Sequence, residues 1–201
     1  MSMEGDRFEV RADPLRQLRT WLDEAAGSSV REPMAMALAT VGEDGAPQVR
    51  MVLLRGLDDR GLTFYTNHDS AKGVALAAHP RAAIVLYWDP LERQVRVTGD
   101  VERLSRAESA AYFASRPLGS RLAAWASDQS RPIADRAALE ARFEAARARF
   151  PDGDVPMPPY WGGYRIVPDT IEFWIGRPDR LHDRQLFTRA GPGWREQRLM
   201  P

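Results

Sequence analysis

The chain has no cysteine among its 201 residues, which excludes disulfides, thiolate catalysis and cysteine-ligated zinc or iron–sulfur sites. Lysine is almost absent too: of 28 basic residues only Lys72 is not an arginine. Net charge is missing as well, 28 basic residues facing 28 acidic ones, so no global field points to nucleic acid or to an anionic membrane, and any anion site has to be local. No apolar stretch approaches a membrane span, and Met1–Val10 is polar and acidic, without the apolar core of a signal peptide. A cytoplasmic location is the default expectation. The three histidines, His68, His79 and His182, lack metal-ligand spacing, so no metal is expected. There is no Gly-rich dinucleotide fingerprint, P-loop, zincin helix or nucleophile elbow.

What is present is an ordinary globular composition, 44% hydrophobic and 28% charged, in a chain sized for a single domain over residues 13–201 with residues 1–12 as a flexible N-terminal arm. Asp13-Pro14 opens a helix that fades near Gly27, with Leu15, Leu18, Trp21 and Leu22 as its apolar stripe. Strands are predicted over Met34–Val41, Gln48–Arg55, Gly61–Thr66, Ala82–Trp88 and Gln94–Arg103, with Val95, Val97 and Val101 on one face. Short helices are expected from Ser70 to about Ala78, from 106 to Ser115 behind the capping box Ser105–Glu108, and over Gly119–Ala126. Asp135–Phe150 is the clearest helix, with Leu139, Phe143, Ala146 and Phe150 along one side. Tyr164–Val167, Thr170–Trp174, Gln185–Thr188 and Trp194–Leu199 read as closing strands. Short antiparallel strands with helices inserted between groups of them predict a mainly β, α+β fold: a β-barrel with α excursions.

The chemistry-bearing residues are scattered. In Arg180-Leu181-His182-Asp183-Arg184 an extended backbone would set two guanidiniums and an imidazole on one face, with Trp174 and Trp161 nearby; a solvated edge strand accounts for the same pattern. Lys72 follows Ser70 at a helix start, where orphan N–H groups already favour an anion. Arg50 is read as the first residue of an apolar strand that ends in Arg55. Tyr112, Arg116 and Ser120 lie at or just past the end of the capped helix, and Gln129-Ser130 follows Trp125 in a loop. Each has a structural explanation by itself; together with Gln94 they supply more donors than one phosphate needs, and suit a planar phosphorylated cofactor beside a phosphorylated substrate.

The blocks Arg50-Met51-Val52-Leu53-Leu54, Phe64-Tyr65-Thr66-Asn67, Arg93-Gln94-Val95 and Tyr112-Phe113-Ala114-Ser115-Arg116-Pro117 resemble the pyridoxamine 5′-phosphate oxidase family. So do Ala124-Trp125-Ala126-Ser127, Gln129-Ser130, Trp161-Gly162-Gly163-Tyr164, Glu172-Phe173-Trp174 and Arg180–Arg184, in order over nearly the whole chain. The resemblance implies an FMN-binding split β-barrel of Greek-key type, homodimeric, with FMN at the subunit interface. It also implies oxidation of pyridoxine or pyridoxamine 5′-phosphate to pyridoxal 5′-phosphate, with dioxygen as electron acceptor and hydrogen peroxide released. By the same resemblance Arg50 through Arg55, Tyr65, Thr66, Lys72, Gln94, Gln129, Ser130, Trp174 and Arg184 are cofactor contacts. Arg55, Tyr112, Arg116, Ser120, Arg180, Leu181 and His182 are substrate contacts, and Arg180 and His182 lie over the reacting ring. The expected partners are a phosphorylated B6 vitamer and a second copy of the chain, not nucleic acid or membrane. The chain departs from the family pattern at Arg55 (usually Lys), Ala71 (usually basic), Ile175 (usually Gln), and Arg121 and Ala123 (usually Gln and Gly), and an Arg-Arg-Glu-Tyr segment has no match in Met1–Ala12. These departures touch substrate choice more than FMN binding, which leaves open a related flavin oxidase acting on another substrate, such as a phenazine precursor, or a flavin- or pyridoxal-phosphate-binding protein without turnover.

Overall fold

Asp13 caps the first helix, α1 (Pro14–Ala26): its carboxylate accepts from the Leu15 and Arg16 backbone N–H groups at 3.0 and 3.3 Å. Pro14 takes the first helical position, where the missing N–H has no intrahelical partner to lose. The computed structural model describes residues 13–201, so the arm expected over Met1–Ala12 lies outside the described residues. Leu15, Leu18, Trp21 and Leu22 are all buried, as their spacing predicts.

Strands β1 (Ala35–Val41), β2 (Pro47–Leu53), β3 (Gly56–Asp58) and β4 (Gly61–Asn67) follow, then α2 (Ala71–Ala78), β5 (Arg81–Trp88) and β6 (Arg93–Arg103). Three helices come next, α3 (Arg106–Ser115), α4 (Leu118–Ala126) and α5 (Arg136–Arg149), before β7 (Trp161–Ile175), β8 (Asp183–Ala190) and β9 (Gly193–Arg198). Every strand pairing is antiparallel, in the order β2-β1-β5-β6-β7-β4-β3, with β8 and β9 attached beyond β7. The long β7 is the hinge of this topology. It pairs with β6 along most of its length, with β4 over its first part and with β8 over its last, so the sheet curls into a half-barrel. Leu18, Trp21, Phe64, Trp88, Ile166 and Phe173 fill its inside, and a smaller core of Phe113, Leu122, Ala126, Val155 and Trp161 fastens the helices to the start of β7.

Five expectations need correction. The strands predicted over Tyr164–Val167 and Thr170–Trp174 are one strand. Pro168 sits opposite Gly99 where the β6–β7 register shifts, and the absent Gly99 side chain admits the Val167 carbonyl, which would lie 2.0 Å from a Cβ there. The short β3 lies between the strands predicted over Gln48–Arg55 and Gly61–Thr66, where no element was expected. Arg50 is the central residue of β2, not its first; β2 is an edge strand that ends at Leu53 and exposes Val49 and Met51 by 70% and 64%. Of the stripe predicted on α5, Ala146 alone is buried within the helix, because only α4 packs against it closely. Finally, residues 180–184 are not extended: Pro178–Arg180 form a 3₁₀ turn in which Asp179 and Arg180 have φ of 57° and 60°, and only Asp183 and Arg184 belong to a strand.

Candidate functional site

The junction of β4 and α2 builds the first half of the site. At the end of β4 the Asn67 Oδ1 accepts from the Asp69 N–H at 2.7 Å, and the Asn67 carbonyl accepts from the Ser70 hydroxyl at 2.7 Å, turning the chain into the helix. Ser70 caps α2. Gly73 allows this tight start: a Cβ at 73 would stand 2.0 Å from the His68 carbonyl oxygen. Lys72 is thereby carried into the interior, 8% exposed, where its Nζ donates to the Thr66 and Ser70 hydroxyls at 3.1 and 3.2 Å and, among the described residues, to no carboxylate. Burial, with the Arg50 guanidinium adding to it, lowers its pKa to about 8. The Thr66 hydroxyl in turn donates to the Gln129 Oε1 at 2.9 Å, tying the loop after α4 to this floor. Arg50 donates to the Leu38 carbonyl, the Thr40 hydroxyl and the Gln48 side chain, again with no acidic partner among the described residues, and burial lowers its pKa as well.

Arg116 forms the second half. It closes α3, and its guanidinium lies over the Trp161 ring at 4.8 Å and over Phe113 at 5.5 Å. One of its terminal nitrogens is buried without a protein partner. Burial lowers the Arg116 pKa; Arg55 pushes the same way and Tyr112 against it. Tyr65, Tyr112 and Trp161 stand nearly parallel, Tyr65 and Tyr112 3.9 Å apart and Tyr65 and Trp161 5.5 Å apart. Gly163, directly across from Tyr65 on β7, makes this possible, since a Cβ there would meet the Tyr65 ring at 2.8 Å.

Both halves open onto one cleft of about 640 Å³. Arg50, Met51, Val52, Leu53, Arg55, Tyr65, Thr66, Lys72, Tyr112, Arg116, Gln129 and Ser130, all named from the sequence, line it. Asn67, Ala71, Ala123, Ala124, Ser127 and Trp161 line it too and were not singled out as site residues, although all but Ala71 and Ala123 fall in motif blocks already noted. Among the described residues the lining holds the basic side chains Arg50, Arg55, Lys72 and Arg116 and not one Asp or Glu. In a chain with equal numbers of acids and bases, that is a locally uncompensated cationic site.

The other expected residues lie elsewhere. The Leu54 side chain is in the core, its N–H bonded to the Met34 carbonyl. Ser120, whose N–H donates to the Pro117 carbonyl in the first turn of α4, is not in the lining. Gln94, Trp174 and Arg184 form a cross-strand row on β6, β7 and β8. Arg184 donates to Glu172 at 2.8 Å and to the Met200 carbonyl at 2.9 Å, while Arg96 reaches the other Glu172 oxygen at 3.2 Å. His182 packs on Trp174 at 4.7 Å and its Nδ1 accepts from the Arg177 N–H at 3.1 Å, which puts the proton of the neutral ring on Nε2. Arg180 and Leu181 are exposed beside it. None of this second group lines the cleft.

Comparison with known proteins gives the class first. A pyridoxamine 5′-phosphate oxidase-related, FMN-binding protein from Nostoc punctiforme shares the fold, with a TM-score of 0.76 at 22% identity over 96% of this chain and all of that one. PhzG from Burkholderia lata, solved in complex with tetrahydrophenazine-1-carboxylic acid, superposes with a TM-score of 0.90 at 34% identity, covering 96% of this chain and 95% of that one. The fold is thus an FMN-binding split barrel. Residues 22–150 match the pyridoxamine 5′-phosphate oxidase family model, and residues 161–201 match the pyridoxine 5′-phosphate oxidase C-terminal dimerisation region. Pyridoxine/pyridoxamine 5′-phosphate oxidases of Burkholderia orbicola and Thermosynechococcus vestitus are each 55% identical over 199 residues, 98% and 99% of this chain and 92% of theirs. The chain belongs to the pyridoxamine 5′-phosphate oxidase family; it is a flavoprotein and an oxidoreductase, and FMN is its cofactor. The donor set fits that group: a buried ammonium held only by hydroxyls, beside a second cation and a loop amide, is what a phosphate monoester requires. Among the described residues no helix is long and apolar enough to cross a membrane.

Proposed function

We propose that the chain oxidises pyridoxine or pyridoxamine 5′-phosphate to pyridoxal 5′-phosphate as an FMN-dependent oxidase. The observation that carries this reading is the cleft with cations at two places and no carboxylate among the described residues: Lys72 with Arg50, and Arg116 with Arg55. Two like-charged pairs suit two anionic groups, one phosphate on the cofactor and one on the substrate. Bound FMN would supply two-electron chemistry between the substrate carbon and dioxygen: alcohol plus dioxygen gives aldehyde plus hydrogen peroxide, and amine plus water plus dioxygen gives aldehyde, ammonia and hydrogen peroxide. Lys72, Arg50 and Ser130 hold the cofactor phosphate. Arg116 and Tyr112 hold the substrate phosphate, with Arg55 adding charge, and fix the distance of the reacting carbon from the flavin.

The row Gln94–Trp174–Arg184 and the pair Arg180 and His182 act in the same reaction from a second subunit. The outer face of the sheet supports this: Val49, Met51 and Tyr87 are exposed there, and the chain carries the family's dimerisation region. In the homodimer His182 presents its Nε2 proton and Arg180 its charge to the substrate ring.

Anaerobic addition of pyridoxine 5′-phosphate to the FMN-loaded protein tests this reading. The flavin band should bleach, and admitting air should restore it with one aldehyde and one peroxide per turnover. The likeness to PhzG supports a second reading, oxidation of a reduced phenazine carboxylate. Bleaching by that compound, with none by the phosphorylated vitamer, would replace the first reading by the second.

A further inference from the structure

We infer that Trp161 is a positioning residue for substrate-phosphate recognition, acting through Arg116. This rests on the reading that Arg116 receives the substrate phosphate.

Arg116 has an unusual environment for a half-buried cation. Among the described residues it has no carboxylate partner, and one terminal nitrogen is buried and unpartnered. What holds the guanidinium is ring faces: Trp161 at 4.8 Å and Phe113 at 5.5 Å. A carboxylate partner would neutralise the charge before a phosphate met it; an indole face holds the cation and leaves its N–H groups free, because the attraction is to the π-system and not to the donors.

Trp161 is itself fixed. It is 6% exposed, its backbone pairs with Asn67 across β4 and β7, and its N–H donates to the Pro158 carbonyl at 3.2 Å. Its ring stands edge-on to Phe113 at 5.0 Å and lies nearly parallel to Tyr112, with 3° between planes. One side chain therefore orients both Arg116 and Tyr112. It belongs to the strand that also meets Tyr65, so the positions of the two phosphate sites are set through one strand.

The readout is the preference of the FMN-loaded enzyme for pyridoxine 5′-phosphate over free pyridoxine, taken as the ratio of kcat/KM values. A purely structural loss lowers both numbers and leaves the ratio alone; a misplaced Arg116 lowers only the phosphorylated one. Trp161→Leu should reduce the ratio about tenfold or more through KM, and Trp161→Phe, which keeps a weaker ring face, about threefold. Should the leucine variant not fold, the phenylalanine variant decides. A ratio unchanged from the parent in the folded variants overturns the inference, provided Arg116→Ala collapses it. If Arg116→Ala also leaves the ratio unchanged, the substrate phosphate lies elsewhere and the proposed function fails with it. Direct binding of inorganic phosphate to the FMN-loaded protein, measured by calorimetry, gives a readout apart from turnover, and its Kd should rise in the same order, parent, Phe, Leu; an order that is flat overturns the role.

Discussion

Lys72 is an ammonium with two hydroxyl partners and an arginine for a neighbour, and with the proposed role at the FMN phosphate that combination should set the pH response of cofactor binding. With a pKa of about 8 in the cofactor-free protein, half of it is neutral at pH 8. A phosphate dianion favours the protonated form, so FMN binding takes up a proton above that pH. The Kd for FMN should be flat from pH 7 to 8 and then rise by up to about tenfold per unit. Flavin fluorescence quenching measures it, and Lys72→Met should weaken binding and abolish the slope; a parent slope that survives in this variant would assign it to another group. The effect on folding has the opposite sign. Between the depressed value and the ordinary 10.5 the unfolded chain holds more protons, so this group makes the cofactor-free protein more stable as pH rises through that window. Arg116→Ala should act differently, raising KM for the phosphorylated substrate roughly 10- to 100-fold with kcat nearly kept, as expected for a charge-assisted contact of about 1.5–3 kcal/mol made in ground and transition states alike. Lys72 was legible in the sequence because local rules place it: a strand end, an Asx turn and a Ser cap fix its position within a few residues. Trp161 as the support of Arg116 was not, since 45 positions separate the two and only the packing of α3 on β7 brings them together.

At the scale of elements, α2 depends on Gly73. Alanine is intrinsically the better helix former by about 1 kcal/mol. Here it would place a methyl 2.0 Å from a backbone carbonyl that cannot swing aside, and overpacking of that kind costs about 1–3 kcal/mol or more. The clash should win: Gly73→Ala should lower Tm by about 4–8 °C and weaken FMN binding, because α2 must shift and carry Lys72 with it. A rise in Tm would mean that α2 moves freely over the His68 carbonyl. The same scale shows where sequence patterns mislead. Val167-Pro168-Asp169 looks like a break, yet β7 runs through it because Gly99 on the neighbouring strand leaves room for the proline's register shift. The alternation of Arg180, His182 and Arg184 looks like a strand face. It is not one, because Pro178 starts a 3₁₀ turn and two left-handed residues follow, which redirects Arg180 before β8 begins. In both cases the deciding partner is distant in sequence or is a backbone angle that periodicity does not report.

At the scale of the whole molecule, one chain holds the proposed site residues in two groups that do not meet. Lys72 and Arg116 face the cleft; Gln94, Trp174 and Arg184 stand in their own row on β6, β7 and β8. If a two-fold partner supplies the second group, the two defects Lys72→Met and Arg184→Ala should complement when carried on different chains. A mixed dimer then has one doubly defective site and one site in which an intact Lys72 cleft faces an intact Arg184. Co-expression of the two variants at equal levels gives half mixed dimers by random pairing, so the purified pool should hold roughly one quarter of the parent flavin content, with turnover to match. Either variant alone should hold little. Co-expression of the double variant Lys72→Met/Arg184→Ala with parent chains at equal levels gives the control: each site of a mixed dimer then carries one defect, so flavin is held by the parent homodimers alone, roughly one quarter of the parent content, against roughly one half if each site lay within one subunit. Flavin content per subunit from absorbance, with subunit ratio from mass spectrometry, separates the outcomes. No recovery in the first pool would mean that both groups serve one site within a single subunit, which the separation of the row from the cleft argues against. Val49→Glu, a charge on the exposed edge strand, then tests the dimer directly: it should yield monomers that lose FMN while their cleft residues remain intact. A yellow monomer would show that the cleft alone suffices.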